Sequence, residues 1–346
     1  MQMGDNEQVI VDDVLEPWAQ VAPHFEDAAL LLGNGASVAV WRRFAYRSLY
    51  ARASSGVVNP LTADDVSVFT RLGTQNFEDV LRSVATASLV VSALGHNDAF
   101  LQLRYASIRR ALVQAVHSVH VPWTQALRTS SLLPIRACLR QHRYVFSTNY
   151  DLVLYWSMAA SGTRDLKNEF LDFIWNGSPP SFDRFKTSVR LERSGCTRVY
   201  YLHGGLHLYR DPSGRTSKII AYQGRLLDQF GTIVIPEYVA EGTWAQKLSK
   251  ISQSDYLSFA LASFAAQKGP LVVFGHSLDF DSDGHLVQAM RAWGKRKIAI
   301  SVLPGAPGVA KDAKLKYLRL LPAAALEFYD SRTHPMGDPA IEMPAP

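Results

Sequence analysis

Cysteine is scarce in this sequence: the 346 residues include only two cysteines, Cys138 and Cys196. A four-cysteine zinc site is therefore excluded, because these two thiols have no second pair to complete it. Few cysteines are typical of proteins that fold in a reducing compartment, so we expect a cytoplasmic location.

Long apolar runs are absent as well. No run reaches the roughly 20 apolar residues that a membrane-spanning helix needs, and the acidic, polar residues 1–16 do not resemble a signal peptide. We therefore expect no membrane association. The net charge of +5 suits a small anionic ligand or loose nucleic-acid contact and requires neither. Basic pairs such as Arg42-Arg43 lack the interleaved aromatic residues of a nucleic-acid groove, so nucleic-acid contact is not supported.

An apolar stretch, Ala28–Leu32, is followed at once by Gly33-Asn34-Gly35-Ala36-Ser37 and then by apolar and aromatic residues up to Tyr50. The pattern predicts a buried strand, a glycine turn and a helix, an arrangement that brings backbone amides close to a phosphate. Val38 stands where G-x-G-x-x-G has its third glycine, and 51–55 hold no carboxylate for a ribose. An ordinary dehydrogenase is therefore not predicted. The glycines alone would equally fit a simple turn.

Further apolar runs alternate with segments of helical periodicity, and each run ends in small or polar residues. This alternation is typical of an α/β fold, and we predict a Rossmann-like, mostly parallel sheet with helices on both faces. The strands are predicted at Ala28–Leu32, Tyr144–Phe146, Arg198–Leu202, Leu271–Phe274, Lys297–Val302 and Ala325–Tyr329.

The predicted domain organisation is simple. A polar N-terminal segment (1–20) precedes one α/β domain (21–333), and a proline-rich tail (334–346) is expected to be disordered. A long helical block, at about 44–141, is predicted as an insertion between the first two strands.

Four polar motifs stand at the ends of predicted strands, where a parallel sheet places its ligand crevice. They are Gly33–Ser37, Ser147–Asp151, His203-Gly204 and Gly275–Leu278. Their order resembles that of the sirtuin-like superfamily of NAD-binding proteins. A zinc-free bacterial branch of it often reads threonine-asparagine-tyrosine-aspartate at the second motif, as Thr148–Asp151 does here. The first and last motifs also resemble a bacterial family catalogued as a domain of unknown function.

The resemblance implies that NAD is the ligand and assigns roles to residues. Asn149 would contact the ribose and the attacking water, and Asp151 the nicotinamide amide. His203 would act as general base, a role that suits a near-neutral pKa. One aspartate in 279–283, for which we take Asp281, would contact the adenosine ribose, although the residues do not show which one. The remaining NAD-binding residues would be Gly33, Asn34, Gly35, Ala36, Ser37, Thr148, Gly204, Gly275 and Ser277.

The resemblance also implies a reaction. Sirtuin deacylases carry a zinc module with four cysteines, which this chain cannot form, so deacylation is disfavoured. Zinc-free bacterial members are typically NAD hydrolases that deplete NAD during phage infection. We therefore expect an NAD+ glycohydrolase that yields nicotinamide and ADP-ribose in antiviral defence by abortive infection. It would need no metal, and a protein partner or a homo-oligomer would trigger it. The alternative is a non-catalytic module that binds NAD or ADP-ribose and regulates a partner.

Structural explanations of the same residues stay open. Asn149 and Asp151 would also serve to cap the following helix, and His203 would also fit a buried structural histidine. A metal site at His203, His207 and His276 is not predicted, because no carboxylate or cysteine completes a recognised spacing. The segment 279–284 begins like a calcium loop, but Met290 stands where the bidentate glutamate belongs.

Overall fold

The computed structural model of the protein describes residues 11–56, 59–121, 131–160, 169–174, 179–187, 195–211, 213–219, 236–239 and 243–344. Residues 1–10 of the predicted N-terminal segment and 345–346 of the predicted tail lie outside this set. None of the described helices is long and apolar enough to cross a membrane.

The described residues form ten strands. They are β1 Ala29–Leu32, β2 Tyr144–Ser147, β3 Phe170–Leu171, β4 Thr197–Tyr201, β5 Gly204–Arg210, β6 Thr216–Lys218, β7 Pro236–Tyr238, β8 Leu271–Phe274, β9 Lys297–Val302 and β10 Ala325–Asp330. Seven of them make one parallel sheet in the order β10-β9-β8-β1-β2-β4-β3. The central strands β1 and β8 are buried along their whole length, as expected for parallel strands covered on both faces. The predicted α/β fold class is confirmed.

The order of the strands reverses at β1. From β1 the chain continues to β2 and β4 on one side, whereas β8, β9 and β10 follow one another on the other side. Leu31 of β1 therefore pairs with Phe146 of β2 and with Val273 of β8. Open parallel sheets bind ligands in the crevice outside the carboxyl ends of the strands at such a reversal. The turns after β1 and β8 meet at this crevice, where the Gly35 amide donates to the Gly275 carbonyl.

Twelve α-helices occur among the described residues. Helices α3 to α7 follow one another between β1 and β2, in the block that the sequence predicts to be helical. The helices are α1 Trp18–Val21, α2 Asn34–Val40, α3 Tyr46–Ser55, α4 Ala63–Leu72, α5 Phe77–Ala93, α6 Ala99–Val119, α7 Leu132–Arg140, α8 Val153–Ala159, α9 Trp244–Ser252, α10 Asp255–Ala265, α11 Phe280–Arg291 and α12 Val309–Leu320.

The single helix predicted between Ser37 and Tyr50 is two helices. α2 ends at Val40, the backbone of Trp41 is extended (φ −146°, ψ 98°), and α3 begins only at Tyr46. The indole of Trp41 is buried, and its Nε1 donates a hydrogen bond to the Val119 carbonyl of α6 at 2.6 Å. This hydrogen bond fixes Trp41 in the core and directs the chain away from the axis of α2.

A second, antiparallel sheet has the strand order β6-β5-β7. It begins directly after β4, because Gly204 (φ +76°) turns the chain out of the main sheet. The Val239 amide, beside β7, donates to the His203 carbonyl at 2.8 Å. The small sheet therefore holds the backbone of His203 at the carboxyl end of β4.

The last described residues are packed against the domain. Met336, Ile341 and Met343 are no more than 2% exposed, and the Met343 amide donates to the Val40 carbonyl of α2 at 2.8 Å. The prediction of a disordered tail is therefore wrong for 334–344. The prolines suggest an open chain, but burial of these apolar side chains supplies the free energy that orders it.

Candidate functional site

A cavity of about 310 Å³ opens where the strand order reverses. Residues that follow β1, β2, β4 and β8 form its polar side, whereas Phe44, Leu49 and Val116 form an apolar wall. Its volume lies at the lower end of the range for small-molecule sites. An apolar wall facing a few convergent polar groups is typical of such sites.

Three glycines make the two turns at the cavity fit together. A Cβ on Gly35 would lie 2.7 Å from the Gly275 Cα, and one on Gly275 (φ +66°) would lie 2.5 Å from the Ala36 nitrogen. The amides of Gly33, Gly35 and Ala36 donate to the carbonyls of Phe274, Gly275 and Gly33. These amides are therefore hydrogen-bonded within the protein. The amides of Gly33 and Gly35 are not free to donate to a phosphate, which the predicted phosphate contact requires.

Ser37, Asn149 and Asp151 form a hydrogen-bonded chain beside the cavity. The Ser37 hydroxyl donates to Asp151 Oδ2 at 2.5 Å and accepts from Asn149 Nδ2 at 2.8 Å. Asp151 Oδ1 accepts from the Val153 amide at 2.8 Å, at the start of α8. Burial raises the pKa of Asp151, although the bonds from Ser37 and the Val153 amide oppose the shift. Asp151 thus caps a helix and faces the cavity at once.

Asn149 lines the cavity, and among the described residues only one of its two amide atoms, Nδ2, is held by a neighbour. Its Oδ1 is buried and has no hydrogen-bond partner among the described residues. A buried acceptor without a partner costs about 1–3 kcal/mol. Because Nδ2 is held by Ser37, the orientation of the amide is set, and Oδ1 is available to a donor on a ligand.

The opposite side of the cavity holds a buried cluster of charged and imidazole groups. His203 Nε2 lies 3.0 Å from His285 Nε2 of α11. Asp283 Oδ1 lies 3.3 Å from Lys247 Nζ of α9 and 3.9 Å from His203 Nε2. His276 Nε2 lies 3.8 Å from Asp283 Oδ2, and its Nδ1 accepts from the Leu278 amide at 2.9 Å. Lys247 is 1% exposed, so a full ammonium charge is buried here beside its carboxylate.

Burial decides the protonation of this cluster. It lowers the pKa of His203 well below its usual range, and the Lys247 ammonium lowers it further. The near-neutral pKa expected for His203 is therefore wrong, and its imidazole is neutral at pH 7. Burial opposes ionisation of Asp283, but Lys247 and the surrounding imidazoles outweigh it and hold the pKa of this carboxyl below its usual value.

Three residues of this cluster are of types that bind metal ions. The ligand atoms of His203, Asp283 and His285 all lie within 4.8 Å of one another, and two histidines with a carboxylate are a familiar zinc set. The Lys247 ammonium, however, already neutralises Asp283. In addition, His285 Nδ1 has no partner among the described residues, whereas a ligating histidine usually donates through its second nitrogen. His207 belongs elsewhere, because its ring stacks on Tyr155 at 4.8 Å.

The family model described as a domain of unknown function, DUF4917, matches residues 30–336. The chain belongs to this family. No curated protein matches it. Among solved structures, the chain is similar to Sir2Tm bound to a propionylated peptide, with 10% identity and a TM-score of 0.37. That alignment covers 91% of this chain and 92% of the other.

The DUF4917 match includes every residue of the predicted site, and most of them reach the cavity. Ala36 and Ser37 are buried behind the cavity wall, and Gly204 packs against Glu237 of β7. The side chain of Asp281 is 76% exposed and lies 3.6 Å from Arg82, outside the cavity. The residues that line the cavity as predicted are Gly33, Asn34, Gly35, Thr148, Asn149, Asp151, His203, Gly275 and Ser277.

Besides its apolar wall, this DUF4917 cavity is lined by four further residues with polar side chains that were not predicted: Tyr150, Lys247, His276 and Asp283. Tyr150 and His276 lie inside motifs that were identified, so position alone would have included them. Asp283 is the aspartate of 279–283 that reaches the cavity. Lys247 lies on α9 with no motif around it, and only its burial against Asp283 marks it.

Proposed function

We propose that the cavity binds NAD+ and cleaves its nicotinamide–ribose bond, giving nicotinamide and ADP-ribose. The observation that carries the proposal is the meeting of Asn149, Asp151 and His203 around one cavity at the strand reversal. The ordered motifs that resemble the sirtuin-like superfamily support NAD as the ligand. The apolar wall of Phe44, Leu49 and Val116 would face a flat aromatic ring of the dinucleotide.

The charges in the cavity suit this reaction. Cleavage passes through an oxocarbenium-like state with positive charge on the ribose. The electrons of the broken bond go to the nicotinamide nitrogen, water adds to the ribose carbon, and one proton is released. Asn149 Oδ1, an acceptor without a partner among the described residues, would stabilise the developing charge. The neutral imidazole of His203 would take the proton from water.

A biological role follows from the same resemblance. We propose that the protein acts in the cytoplasm to deplete NAD+ during phage infection, and that a protein partner or self-assembly triggers it. The exposed helical block is the surface that we propose for this contact. A deacylase role is not favoured, because two cysteines cannot build the zinc module of sirtuin deacylases.

The test is to incubate the purified chain with NAD+ and to separate nicotinamide and ADP-ribose by chromatography. His203→Ala should lower turnover by about 10²- to 10⁴-fold, the usual contribution of a general base, while NAD+ affinity in calorimetry changes little. Asn149→Ala should also lower turnover. His96→Ala, at an exposed histidine, is the matched control.

A second arm of this experiment covers the case in which the protein needs a trigger. Cellular NAD is measured in bacteria that express the wild type or Asn149→Ala, with and without phage. The proposal predicts loss of NAD in the wild type alone. If the NAD concentration stays constant both with the purified chain and in infected cells, the proposed function is wrong.

The non-catalytic alternative has one observation in its favour. Nε2 of His203 is engaged with His285 within the protein, as expected of a site that binds a nucleotide without reacting. Calorimetry separates the two functions, because a binding module would bind NAD or ADP-ribose and leave the nucleotide intact.

A further inference from the structure

The contact between His203 and His285 contains one shared proton. Their Nε2 atoms are 3.0 Å apart, and both residues are buried. A neutral imidazole has one donor and one acceptor nitrogen. Two neutral rings that meet through Nε2 can therefore form a hydrogen bond in two ways, with either His203 or His285 as the donor.

The second nitrogen of His285 distinguishes these two arrangements. His285 Nδ1 is buried and finds no partner among the described residues. If His285 accepted at Nε2, its own proton would sit on Nδ1 as a buried donor without an acceptor. Buried N–H groups without partners are rarer in proteins than under-satisfied acceptors. His285 therefore carries its proton on Nε2 and donates it to His203 Nε2.

This arrangement determines what His203 offers to a ligand. With Nε2 accepting from His285, the proton of the neutral His203 ring is on Nδ1. Nδ1 is also the only ring nitrogen left to meet a ligand. In this state His203, which lines the cavity, offers a ligand an N–H donor and has no free lone pair with which to take a proton from water.

The charged neighbours of His203 keep the pair neutral. The titratable groups that face it are Lys247, Asp283, His285 and His276. Lys247 and Asp283 compensate each other at 3.3 Å, so neither imidazole gains a net counter-charge that would favour its protonation. His276 keeps its proton on Nε2, because its Nδ1 accepts from the Leu278 amide.

We infer that His285 is a positioning residue that holds His203 in the Nδ1–H tautomer, so that the resting site is a donor and not a base. The inference rests on the proposed function for its consequence: hydrolysis requires the reverse tautomer of the pair. His203 Nδ1 then gives its proton to solvent, the shared proton moves from His285 Nε2 to His203 Nε2, and His285 Nδ1 takes up a proton from solvent, so both rings stay neutral and His203 Nδ1 can accept a proton from water. The buried Nδ1–H that this leaves on His285 disfavours the reactive tautomer by about 5- to 150-fold.

The direct test is the tautomer itself, which needs no activity. The full chain is labelled with ¹⁵N-histidine, and long-range ¹H–¹⁵N correlation spectra at pH 7 show which ring nitrogens carry protons. His203→Asn and His285→Gln assign the two residues by difference, and His207→Gln is the control at a distant buried histidine. The proton is expected on Nδ1 of His203 and on Nε2 of His285. A proton on His203 Nε2 would overturn the inference. So would a purified chain that retains one equivalent of Zn²⁺, if the metal shifts the Nε2 signals of both His203 and His285.

Two substitutions at His285 connect the tautomer to turnover. A glutamine can still donate to His203, so His285→Gln should keep the Nδ1–H signal and turnover within about threefold of wild type. A carboxylate can only accept, so His285→Glu should move the proton to His203 Nε2 and raise turnover, by the logic of the aspartate in a catalytic triad. An unchanged tautomer in a folded His285→Glu variant would contradict the inference. If the chain does not cleave NAD+, the proposed function fails while the spectra still decide this inference.

Discussion

The Ser37 hydroxyl lies 2.5 Å from Asp151 Oδ2 and joins α2 to the segment that follows β2. Removing it in Ser37→Ala leaves Asp151 Oδ2 and Asn149 Nδ2 buried without this partner. The free energy of unfolding should fall by about 1–3 kcal/mol, measured by urea denaturation. Ser157→Ala is the control, because this buried hydroxyl donates to the Val153 carbonyl of its own helix and its loss should cost less than about 1 kcal/mol. Equal losses in the two variants would contradict the role of Ser37.

A substitution at Gly275 tests the contact between the two glycine turns. An alanine there must adopt a left-handed backbone and place its Cβ 2.5 Å from the Ala36 nitrogen. Gly294 has nearly the same φ, +68°, but its Cβ would meet no described atom within 4 Å. Gly294→Ala should cost about 1–2 kcal/mol for the backbone alone. Gly275→Ala should cost about 1–3 kcal/mol more, because the clash is added. Denaturation curves that coincide would show that the turns do not need this close approach.

Asp283 and Asp281 make a matched pair of variants. Asp283→Asn leaves the Lys247 ammonium buried beside a neutral amide and should lower the free energy of unfolding by about 3–5 kcal/mol. Asp281→Asn, at an exposed side chain, should change it by less than about 0.5 kcal/mol.

The folded pKa of Asp283 lies below its unfolded value. Its contribution is therefore complete above about pH 4 and is lost as the pH falls, and Asp283→Asn should lack this pH dependence. If Asp281→Asn instead lowered the free energy of unfolding by the amount expected for Asp283→Asn, Asp281 and not Asp283 would be the buried partner of Lys247.

His207 should make the protein sensitive to acid. Burial lowers its pKa from 6.5 to about 3, and neither ring nitrogen has a partner among the described residues. Below about pH 6.5 the unfolded chain binds a proton that the folded chain does not, so this histidine lowers stability as the pH falls towards 3. His207→Phe should flatten the dependence by about 1.4 kcal/mol per pH unit between pH 6 and 4. Urea unfolding at several pH values measures the slope, and an unchanged slope would show that His207 is protonated in the folded state.

The fold could be predicted closely because parallel strands buried on both faces are continuous apolar runs. Leu271–Phe274 and Lys297–Val302 were predicted with the bounds that the structure shows. The break at Trp41 was missed, because it follows from a tertiary hydrogen bond to Val119 and not from local periodicity. The packed tail was missed for the same reason, since its order comes from distant partners.

The site could be predicted only where a residue belongs to a motif at a strand end. Asn149, Asp151 and His203 were found in this way. The segment 279–283 offers several aspartates and its sequence does not show which one reaches the site, so Asp281 was taken where the structure brings Asp283 to the cavity. The backbone of Asp283 is non-helical (φ −127°, ψ 27°) and kinks α11 at this point, and of the two aspartates Asp283 lines the cavity. Lys247 could not be found, because a lysine alone carries no signal that it will be buried.

The pairing of β1 with β8 has a consequence for synthesis on the ribosome. The Gly33 turn is synthesised well before its partner turn at Gly275 and the cavity residues His276 and Asp283. Until these residues are made, β1 lacks one neighbour and the cavity lacks one wall. A nascent chain that stops before Gly275 therefore has no assembled site.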